Sequence, residues 1–257
     1  MPAVLDKPLA TIEALWAKRH IHLAAEPEGD RFGSLRPDQA AEGAKTMLVL
    51  AVGDSMVAGC GVDRQADGFV PDLALGISRL TNRPVDWHAY GRLGATMKRV
   101  RYRLLPEARQ ALEASGPAEA KESADLLILC AGSNDIMAQR GLDEWRGDLT
   151  ASIQQALDLA ASVIVLSPGQ MQNEPKLGPA LKRLIEQAMN QQAAVSKEVC
   201  AHLGVPYLDL THEYVGADQP DFYASDHFHP SKAGYQRMAD AVLAQLSQDR
   251  SWLAQEH

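Results

Sequence analysis

The chain has 257 residues, of which 46% are hydrophobic and 23% charged, and its formal net charge is −8 at pH 7. The length fits one large α/β domain, and the composition is that of a soluble globular protein. The net negative charge argues against a basic surface for nucleic acid. No apolar stretch is long enough to cross a bilayer, so stable insertion into a membrane is not expected.

The beginning of the chain and its cysteines indicate a reducing compartment. Residues 1–8 lack the basic region and the apolar core of a secretory signal. The three cysteines, Cys60, Cys130 and Cys200, are widely spaced and odd in number, which argues against a disulfide framework. We therefore expect a cytoplasmic protein.

The N-terminal part of the chain differs from the remainder. Four apolar residues and an arginine recur there at helical spacing and predict a short amphipathic helix: Ile12, Leu15, Trp16, Arg19 and Leu23. Residues 26–30 then break the helix, and residues 31–45 have the composition of a surface linker. We divide the chain into a helical arm and linker over residues 1–45 and a main domain over residues 46–257. The arm either packs on the domain without a role in chemistry, which we prefer, or covers the site or contacts another subunit.

From Thr46 onward, strand and helix patterns alternate. The predicted strands cover residues 46–52, 84–90, 124–130, 162–167 and 205–209. The predicted helices cover residues 69–80, 95–114, 142–161, 179–203 and 231–246. Strands separated by helices indicate an α/β fold with a parallel sheet and helices on both faces. In such a sheet the loops that follow the strands meet at one edge, where we expect the chemistry.

The loop after the first predicted strand holds the first candidate site residue. The apolar run Leu48–Val52 ends abruptly in Gly53-Asp54-Ser55. A serine just past the carboxyl end of such a strand lies where open α/β sheets bind ligands, so Ser55 is a candidate nucleophile. The same residues also suit a turn in which Asp54 or Ser55 caps the next helix. These residues alone do not separate the two interpretations.

Two further loops of this edge carry glycines and an amide. Gly91 and Gly94 follow the second predicted strand and suit a tight turn with close approach of the backbone to a ligand. The third predicted strand is followed by Gly132–Asp135, in which Asn134 offers an amide donor. Asn and Asp also form ordinary turns and caps, so this loop has a purely structural interpretation as well.

The last loop adds an acid and a base. Asp226 and His229 are three residues apart, so one local turn can bring the carboxylate to the imidazole. Serine is a poor nucleophile until a base removes its proton, and histidine has a pKa suited to that task. A neighbouring carboxylate stabilises the imidazolium, while backbone N–H groups and an amide can stabilise an oxyanion. Together these loops hold the groups needed for acyl transfer.

The order of these blocks resembles that of the SGNH hydrolases, also called the GDSL family of esterases and lipases. The resemblance is carried by Gly53-Asp54-Ser55, Gly94, Gly132-Ser133-Asn134-Asp135 and Asp226-His227-Phe228-His229-Pro230. It covers roughly residues 46–246 and leaves the N-terminal arm outside. It implies a flavodoxin-like three-layer α/β/α sandwich with a five-stranded parallel sheet.

The resemblance also implies a role for each block. Ser55 would be the nucleophile, and His229 would be the general base, oriented by Asp226. The oxyanion hole would consist of the N–H groups of Ser55 and Gly94 and the side-chain amide of Asn134.

Three positions depart from the family pattern, and rivals to the assigned residues remain open. The departures are Met56 in place of a common Leu, Leu93 in place of a small polar residue, and His227 in place of a common Gly. Because of Leu93, Gly91 remains a rival to Gly94. His227 is an alternative base to His229. Ser133 is an alternative nucleophile to Ser55, although its position in the block belongs to a variable residue.

No motif for a metal or a cofactor emerges, so we expect neither. His227 and His229 form only a pair, whereas a metal site requires three or four ligands. Gly59-Cys60-Gly61 lacks the third glycine of a dinucleotide-binding fingerprint. Cys60 itself has no cationic neighbour in the sequence that would activate its thiol. Four methionines lie in or beside the site loops and suit either an adaptable acyl pocket or ordinary core packing: Met56, Met97, Met137 and Met171.

The sequence therefore predicts a serine esterase that hydrolyses small-molecule or lipid esters through an acyl-enzyme on Ser55. A thioesterase, a lysophospholipase or a carbohydrate O-acetyl esterase would use the same machinery, and the sequence does not separate them. A binding protein that keeps the fold without turnover is a further interpretation, against which the complete set of site residues argues. The sequence does not indicate an oligomeric state.

Overall fold

The computed structural model describes residues 6–37, 43–114, 123–250 and 252–253. Its helices are α1 (Asp6–His20), α2 (Phe69–Thr81), α3 (Met97–Arg99), α4 (Leu105–Ala114), α5 (Ser133–Met137), α6 (Leu142–Leu157), α7 (Pro179–Leu203) and α8 (Lys232–Gln248). Its strands are β1 (Phe32–Leu35), β2 (Met47–Gly53), β3 (Val85–Gly91), β4 (Ala124–Cys130), β5 (Ala160–Leu166) and β6 (Tyr207–Leu208). A π-helical turn over Val100–Leu104 joins α3 to α4.

These strands form one sheet in the order β1-β3-β2-β4-β5-β6. Every neighbouring pair is parallel except β1 and β3, which are antiparallel. Strand β3 lies on one side of β2 and the later strands lie on the other, so the strand order reverses between β2 and β4. Open parallel sheets bind ligands at such a switch point, outside the carboxyl ends of the strands. The loops after β2 and β4 therefore lie where a ligand site is expected.

Helices cover both faces of the sheet. Along β2, Val49 and Ala51 belong to the core cluster under α2 and α8, whereas Leu50 and Val52 belong to the cluster under α6 and the second half of α7. This alternation follows from the two-residue period of a strand. The three-layer α/β/α arrangement with flavodoxin-like topology is thereby confirmed.

Gly53 ends β2 at a close contact with β4. A Cβ at this position would lie 1.9 Å from the carbonyl oxygen of Cys130, so no larger residue fits. The N–H of Asp54 donates to the same oxygen at 3.0 Å. The missing side chain lets the end of β2 lie directly against β4 and determines where the following turn leaves the sheet.

The sheet has one strand more than the sequence predicted. Phe32–Leu35 form β1, which pairs with the edge of β3 inside the stretch that was predicted to be a linker. That part of the prediction was wrong because the strand carries no apolar run and Phe32 is 58% exposed. The strand is held by backbone pairing with β3 rather than by burial of its side chains.

Most other elements agree with the sequence pattern. β4 and α7 have the predicted bounds, whereas the helix predicted over residues 142–161 ends at Leu157 because β5 begins at Ala160. The helix predicted over residues 95–114 is divided by the π-helical turn. None of the helices in the described ranges is long and apolar enough to cross a membrane.

The N-terminal helix is present, but it packs with a different face from the predicted one. Ile12 and Leu15 are 64% and 65% exposed, whereas Ala17 is buried against residues of α7 and the loop before it. The small alanine allows α1 to lie close to α7. Glu13 adds a polar contact, because its carboxylate accepts the N–H of Leu181 at 2.7 Å.

Candidate active site

A tight turn before α8 brings an acid and an imidazole together. His229 Nδ1 lies 2.7 Å from Asp226 Oδ2, and Asp226 Oδ1 accepts the N–H groups of Phe228 and His229, each at 2.9 Å. Between them, His227 has a φ of 56°. This left-handed conformation is one that glycine adopts without strain, which explains the preference for glycine at this position in the family pattern.

The hydrogen bonds to Asp226 keep its carboxylate charged. Burial by itself would raise the pKa of Asp226, but the His229 ring and the N–H groups of Ala24, Phe228 and His229 hold that pKa well below its usual range. A charged acceptor at Nδ1 favours the tautomer in which Nε2 of His229 is the free base. Nε2 is buried and has no hydrogen-bond partner among the described residues.

Ser55 lies in the turn directly after β2 and follows the buried Asp54. Asp54 is 2% exposed, and burial raises its pKa to about 7 although the N–H of Met56 donates to it at 3.1 Å. Ser55 is half-buried and lines the same cavity as His229. No hydrogen bond joins the two side chains in the described part of the chain. Catalytic hydrogen bonds often tighten only when substrate is bound.

The donors that the sequence predicts for an oxyanion hole are not all used within the fold. Neither the N–H of Ser55 nor that of Gly94 donates a hydrogen bond within the described residues. Asn134 lines the cavity, and one of its two amide hydrogens is donated to the carbonyl of Ala95 at 3.0 Å. The second amide hydrogen remains for a ligand.

The two rival glycines of the β3–α3 loop differ in their surroundings. A Cβ on Gly91 would lie 2.2 Å from the backbone nitrogen of Ala58, and the Gly91 carbonyl accepts a hydrogen bond from Arg31 at 2.6 Å. Gly91 is therefore required for packing at the end of β3. Gly94 has a φ of 74° and open space around it, and it follows Leu93, which lines the cavity.

Asp135 joins two of the loops, a role that the sequence did not reveal. Its side chain is 1% exposed, accepts the N–H of Met97 at 2.8 Å and pairs with Arg140 at 2.9 Å. The bond to Met97 holds the loop after β4 against the start of α3, and so it contributes to the position of Asn134 relative to the loop of Gly94. Only its place beside Asn134 in the block could have drawn attention to it.

A mainly apolar cavity of about 720 Å³ opens beside these residues, a volume typical of small-molecule sites. The N-terminal arm, the β5–α7 loop, α7 and the last loop supply its wall, with Ala17, Ile21, Met171, Ile185 and Phe228 among the lining residues. Of the four methionines near the site loops, Met56, Met137 and Met171 line the cavity, whereas Met97 packs in the core.

The model of the GDSL-like lipase/acylhydrolase family matches residues 51–237 of the chain. This range includes all the blocks on which the resemblance rests. The chain belongs to the GDSL-like lipase/acylhydrolase family. Among curated proteins, no sequence matches it.

Several solved structures have a similar fold. A lipase/acylhydrolase from Enterococcus faecalis is 20% identical, with a TM-score of 0.55 over 79% of this chain and 96% of that one. An aryl esterase from M. smegmatis is 19% identical, with a TM-score of 0.54 over 80% of this chain and 100% of that one. A carbohydrate acetylesterase from Sinorhizobium meliloti is 16% identical, with a TM-score of 0.54 over 79% and 99%. At these identities the similarity shows the fold alone.

The N-terminal arm lies outside the part that matches the GDSL family, yet it reaches the candidate site. The N–H of Ala24 donates at 2.9 Å to Asp226 Oδ2, the oxygen that also contacts His229 Nδ1. Glu26 accepts the N–H of Leu93 at 2.7 Å, in the loop that contains Gly94. Of the two interpretations of the arm, these contacts support the one in which it covers the candidate site, because the arm forms part of the wall of the cavity.

The rival residues of this GDSL-family site occupy different surroundings. Ser133 begins α5 and also lines the cavity, whereas His227 is exposed and does not. Burial raises the pKa of the Cys60 thiol to about 12, and the nearby Glu26 and Asp54 add to the rise, so this thiol is not activated. In the described ranges, no group of three or more His, Cys, Asp or Glu side chains could hold a metal ion.

Proposed function

We propose that this GDSL-family chain is a serine esterase with Ser55 as nucleophile, His229 as general base and Asp226 as the residue that orients it. The observation that carries the proposal is the buried Nε2 of His229, which has no partner among the described residues and belongs to the residue that lines the same cavity as Ser55. A buried polar atom without a partner costs about 1–3 kcal/mol. If Nε2 accepts the proton of Ser55, its lack of a partner in the free protein has a functional explanation.

Each proposed residue has one task in the reaction. His229 Nε2 takes the proton of Ser55 as Oγ forms a bond to the ester carbonyl carbon, and Asp226 stabilises the imidazolium that results. The N–H groups of Ser55 and Gly94 and the amide of Asn134 receive the negative charge of the carbonyl oxygen. The imidazolium then protonates the leaving alcohol, which leaves an acyl group on Ser55. Water, deprotonated by His229, releases the acid and restores the serine.

The mainly apolar cavity supports a small-molecule or lipid ester as substrate. An aryl esterase and a carbohydrate acetylesterase share the fold, so aromatic esters and acetylated sugars are the first substrates to compare. Thioesters and lysophospholipids require the same acyl transfer and belong in the same panel. The relative kcat/KM values would rank these classes.

A fluorophosphonate that reacts with activated serines tests the proposal. We expect one adduct per chain, located by peptide mass spectrometry on Ser55, together with loss of p-nitrophenyl acetate hydrolysis. His229→Ala should slow the labelling, and Ser133→Ala should still be labelled. A folded chain that stays unlabelled would favour a binding protein. An adduct on Ser133 would move the nucleophile to that residue.

The hydrogen bond between the N-terminal arm and Asp226 is expected to affect kcat. Ala24→Pro removes the N–H that Asp226 Oδ2 accepts. A hydrogen bond to a charged group contributes about 1.5–3 kcal/mol, so we expect kcat to fall by roughly tenfold or more with little change in KM. Ala24→Gly keeps the N–H and is the matched control. Equal kcat values for the two variants, at equal melting temperature, would show that this bond does not position Asp226.

A further inference from the structure

The cavity contains two buried polar groups that the proposed mechanism does not use. Glu174, in the loop between β5 and α7, is 5% exposed, and its Oε2 has no hydrogen-bond partner among the described residues. The hydroxyl of Tyr223 is also buried and unpaired in the same part of the chain. Both residues line the cavity. Because buried polar groups are normally hydrogen-bonded, their location indicates a ligand that completes their bonding.

The backbone holds Glu174 firmly at this position. Its N–H donates to the carbonyl of Met171 at 3.2 Å, and its own carbonyl accepts the N–H of Leu177 at 3.2 Å. Met171 and Leu177 are both buried in the cluster that joins α1 to α7. The unpaired carboxyl is therefore a feature of a well-anchored turn, not of a mobile surface loop.

Glu174 and Tyr223 are close enough to influence one another and the proposed triad. Burial raises the pKa of Tyr223, and Glu174 adds to that rise. Burial also raises the pKa of Glu174 well above its usual range, to which Asp226 adds while Lys182 opposes it. Burial therefore favours the uncharged form of the Glu174 carboxyl, which has one hydrogen-bond donor and a free acceptor oxygen.

We propose that Glu174 and Tyr223 form a subsite for a hydroxyl group of the ester substrate. This inference rests on the proposed esterase function and adds a substrate class to it. A hydroxyl donates one hydrogen bond and accepts others, so it can pair with the carboxyl and the phenol at once. A plain alkyl group at the same place would leave both buried groups unpaired. Esters with a hydroxylated acyl or alcohol group should therefore react faster than their alkyl counterparts.

A cationic substrate is the main competing occupant. The cavity also has the rings of Phe222 and Phe228 in its wall, and aromatic faces attract ammonium groups. An ammonium has donors only, however, and would require the ionised form of Glu174, which its burial disfavours. A hydroxyl group can pair with the uncharged form of Glu174, which both donates and accepts hydrogen bonds. A preference for a cationic ester would therefore contradict the proposal.

Matched pairs of esters test the subsite at fixed pH. On the acyl side, p-nitrophenyl 3-hydroxybutyrate is compared with p-nitrophenyl 3-methylbutyrate, and on the alcohol side 2-hydroxyethyl acetate is compared with propyl acetate. Each kcat/KM is divided by the rate constant for alkaline hydrolysis of the same ester. We expect a preference of about tenfold or more for the hydroxylated ester in at least one pair, because the alkyl ester leaves a buried polar group without a hydrogen bond. Acetylcholine and 3,3-dimethylbutyl acetate form the cationic pair.

Variants of Glu174 and Tyr223 test whether these residues cause the preference for the hydroxylated ester. Glu174→Leu should bring the ratio of the preferred pair close to one, whereas Glu174→Gln, which keeps a donor and an acceptor, should retain most of it. Tyr223→Phe should lower the ratio. Tyr214→Phe is the matched control, since Tyr214 is 75% exposed and does not line the cavity, and its ratio should be unchanged.

Three results would overturn the inference: no preference in either hydroxyl pair, a ratio that persists in both Glu174→Leu and Tyr223→Phe, or a preference for acetylcholine over its uncharged counterpart. Failure of the esterase proposal is distinguishable from these. In that case wild-type protein would hydrolyse no member of any pair and Ser55 would not be labelled.

Discussion

Replacement of Ser55 by alanine is expected to lower kcat for ester hydrolysis by roughly 10⁶-fold, the loss seen when a catalytic serine is removed. The physical reason is that the proposed acyl intermediate on Ser55 cannot form once Oγ is absent, while the proposed oxyanion donors and the cavity remain. The substitution removes one half-buried oxygen, so the melting temperature should change little. Steady-state hydrolysis of a short p-nitrophenyl ester is the measurement.

The control for Ser55→Ala is Ser133→Ala, because both serines line the cavity. The Ser133 variant should stay far more active than the Ser55 variant. If Ser55→Ala kept most of its activity, or if Ser133→Ala lost as much, Ser55 would not be the nucleophile.

Asp226→Asn is expected to lower kcat by about 10⁴-fold. The amide offers an N–H₂ group where the carboxylate offers an acceptor, which favours the wrong tautomer of His229 and no longer stabilises its imidazolium. The N–H of Ala24 also loses the negative charge of its acceptor. The labelling rate of Ser55 by a fluorophosphonate should fall in parallel, since it reports the same activation. A loss confined to KM would contradict a role for Asp226 in orienting the base.

The low pKa of Asp226 also predicts how the free energy of unfolding depends on pH. A carboxylate with a depressed pKa contributes stability that is present above its unfolded pKa of about 4 and is lost as pH falls through the folded value. The difference in unfolding free energy between wild type and Asp226→Asn should therefore be constant from about pH 5 upward and shrink in more acidic solution. Urea unfolding at a series of pH values would measure it. A difference that grows as the pH falls would be inconsistent with the hydrogen bonds described.

The N-terminal arm changes how this GDSL-family site is understood. The family match begins at residue 51, whereas the hydrogen bond to Asp226 comes from Ala24 and one wall of the cavity comes from α1. The part of the chain common to the family thus holds all the proposed catalytic groups. The arm adds contacts that affect both the position of Asp226 and the shape of the cavity.

Local features of the sequence determined much of the fold. The apolar run over residues 124–130 identified β4, and the helical pattern over residues 179–203 identified α7, both with the bounds they have in the structure. The contact between Asp226 and His229 was also within reach of sequence reasoning, because it depends on a turn of only a few residues. The gathering of the blocks at one sheet edge followed from the parallel arrangement of the strands.

The elements that were missed depend on partners distant in the chain. β1 has no apolar pattern of its own and is a strand only because the edge of β3 pairs with it. The buried face of α1 is its alanine side, because close packing on α7 favours small residues over the large apolar ones that face outward. Helical periodicity alone favours the opposite face.

The same distinction applies to the site. The sequence by itself determined which residue types come after each strand, and so it singled out Ser55, Asn134 and His229. Only the tertiary structure decided that Ala24 meets Asp226 across 202 residues of chain. It alone also showed that Glu174 lines the cavity. The spacing of residues along the chain indicates neither of these arrangements. Their physical origin is the packing of α1 and the β5–α7 loop against α7, which no single stretch of sequence encodes.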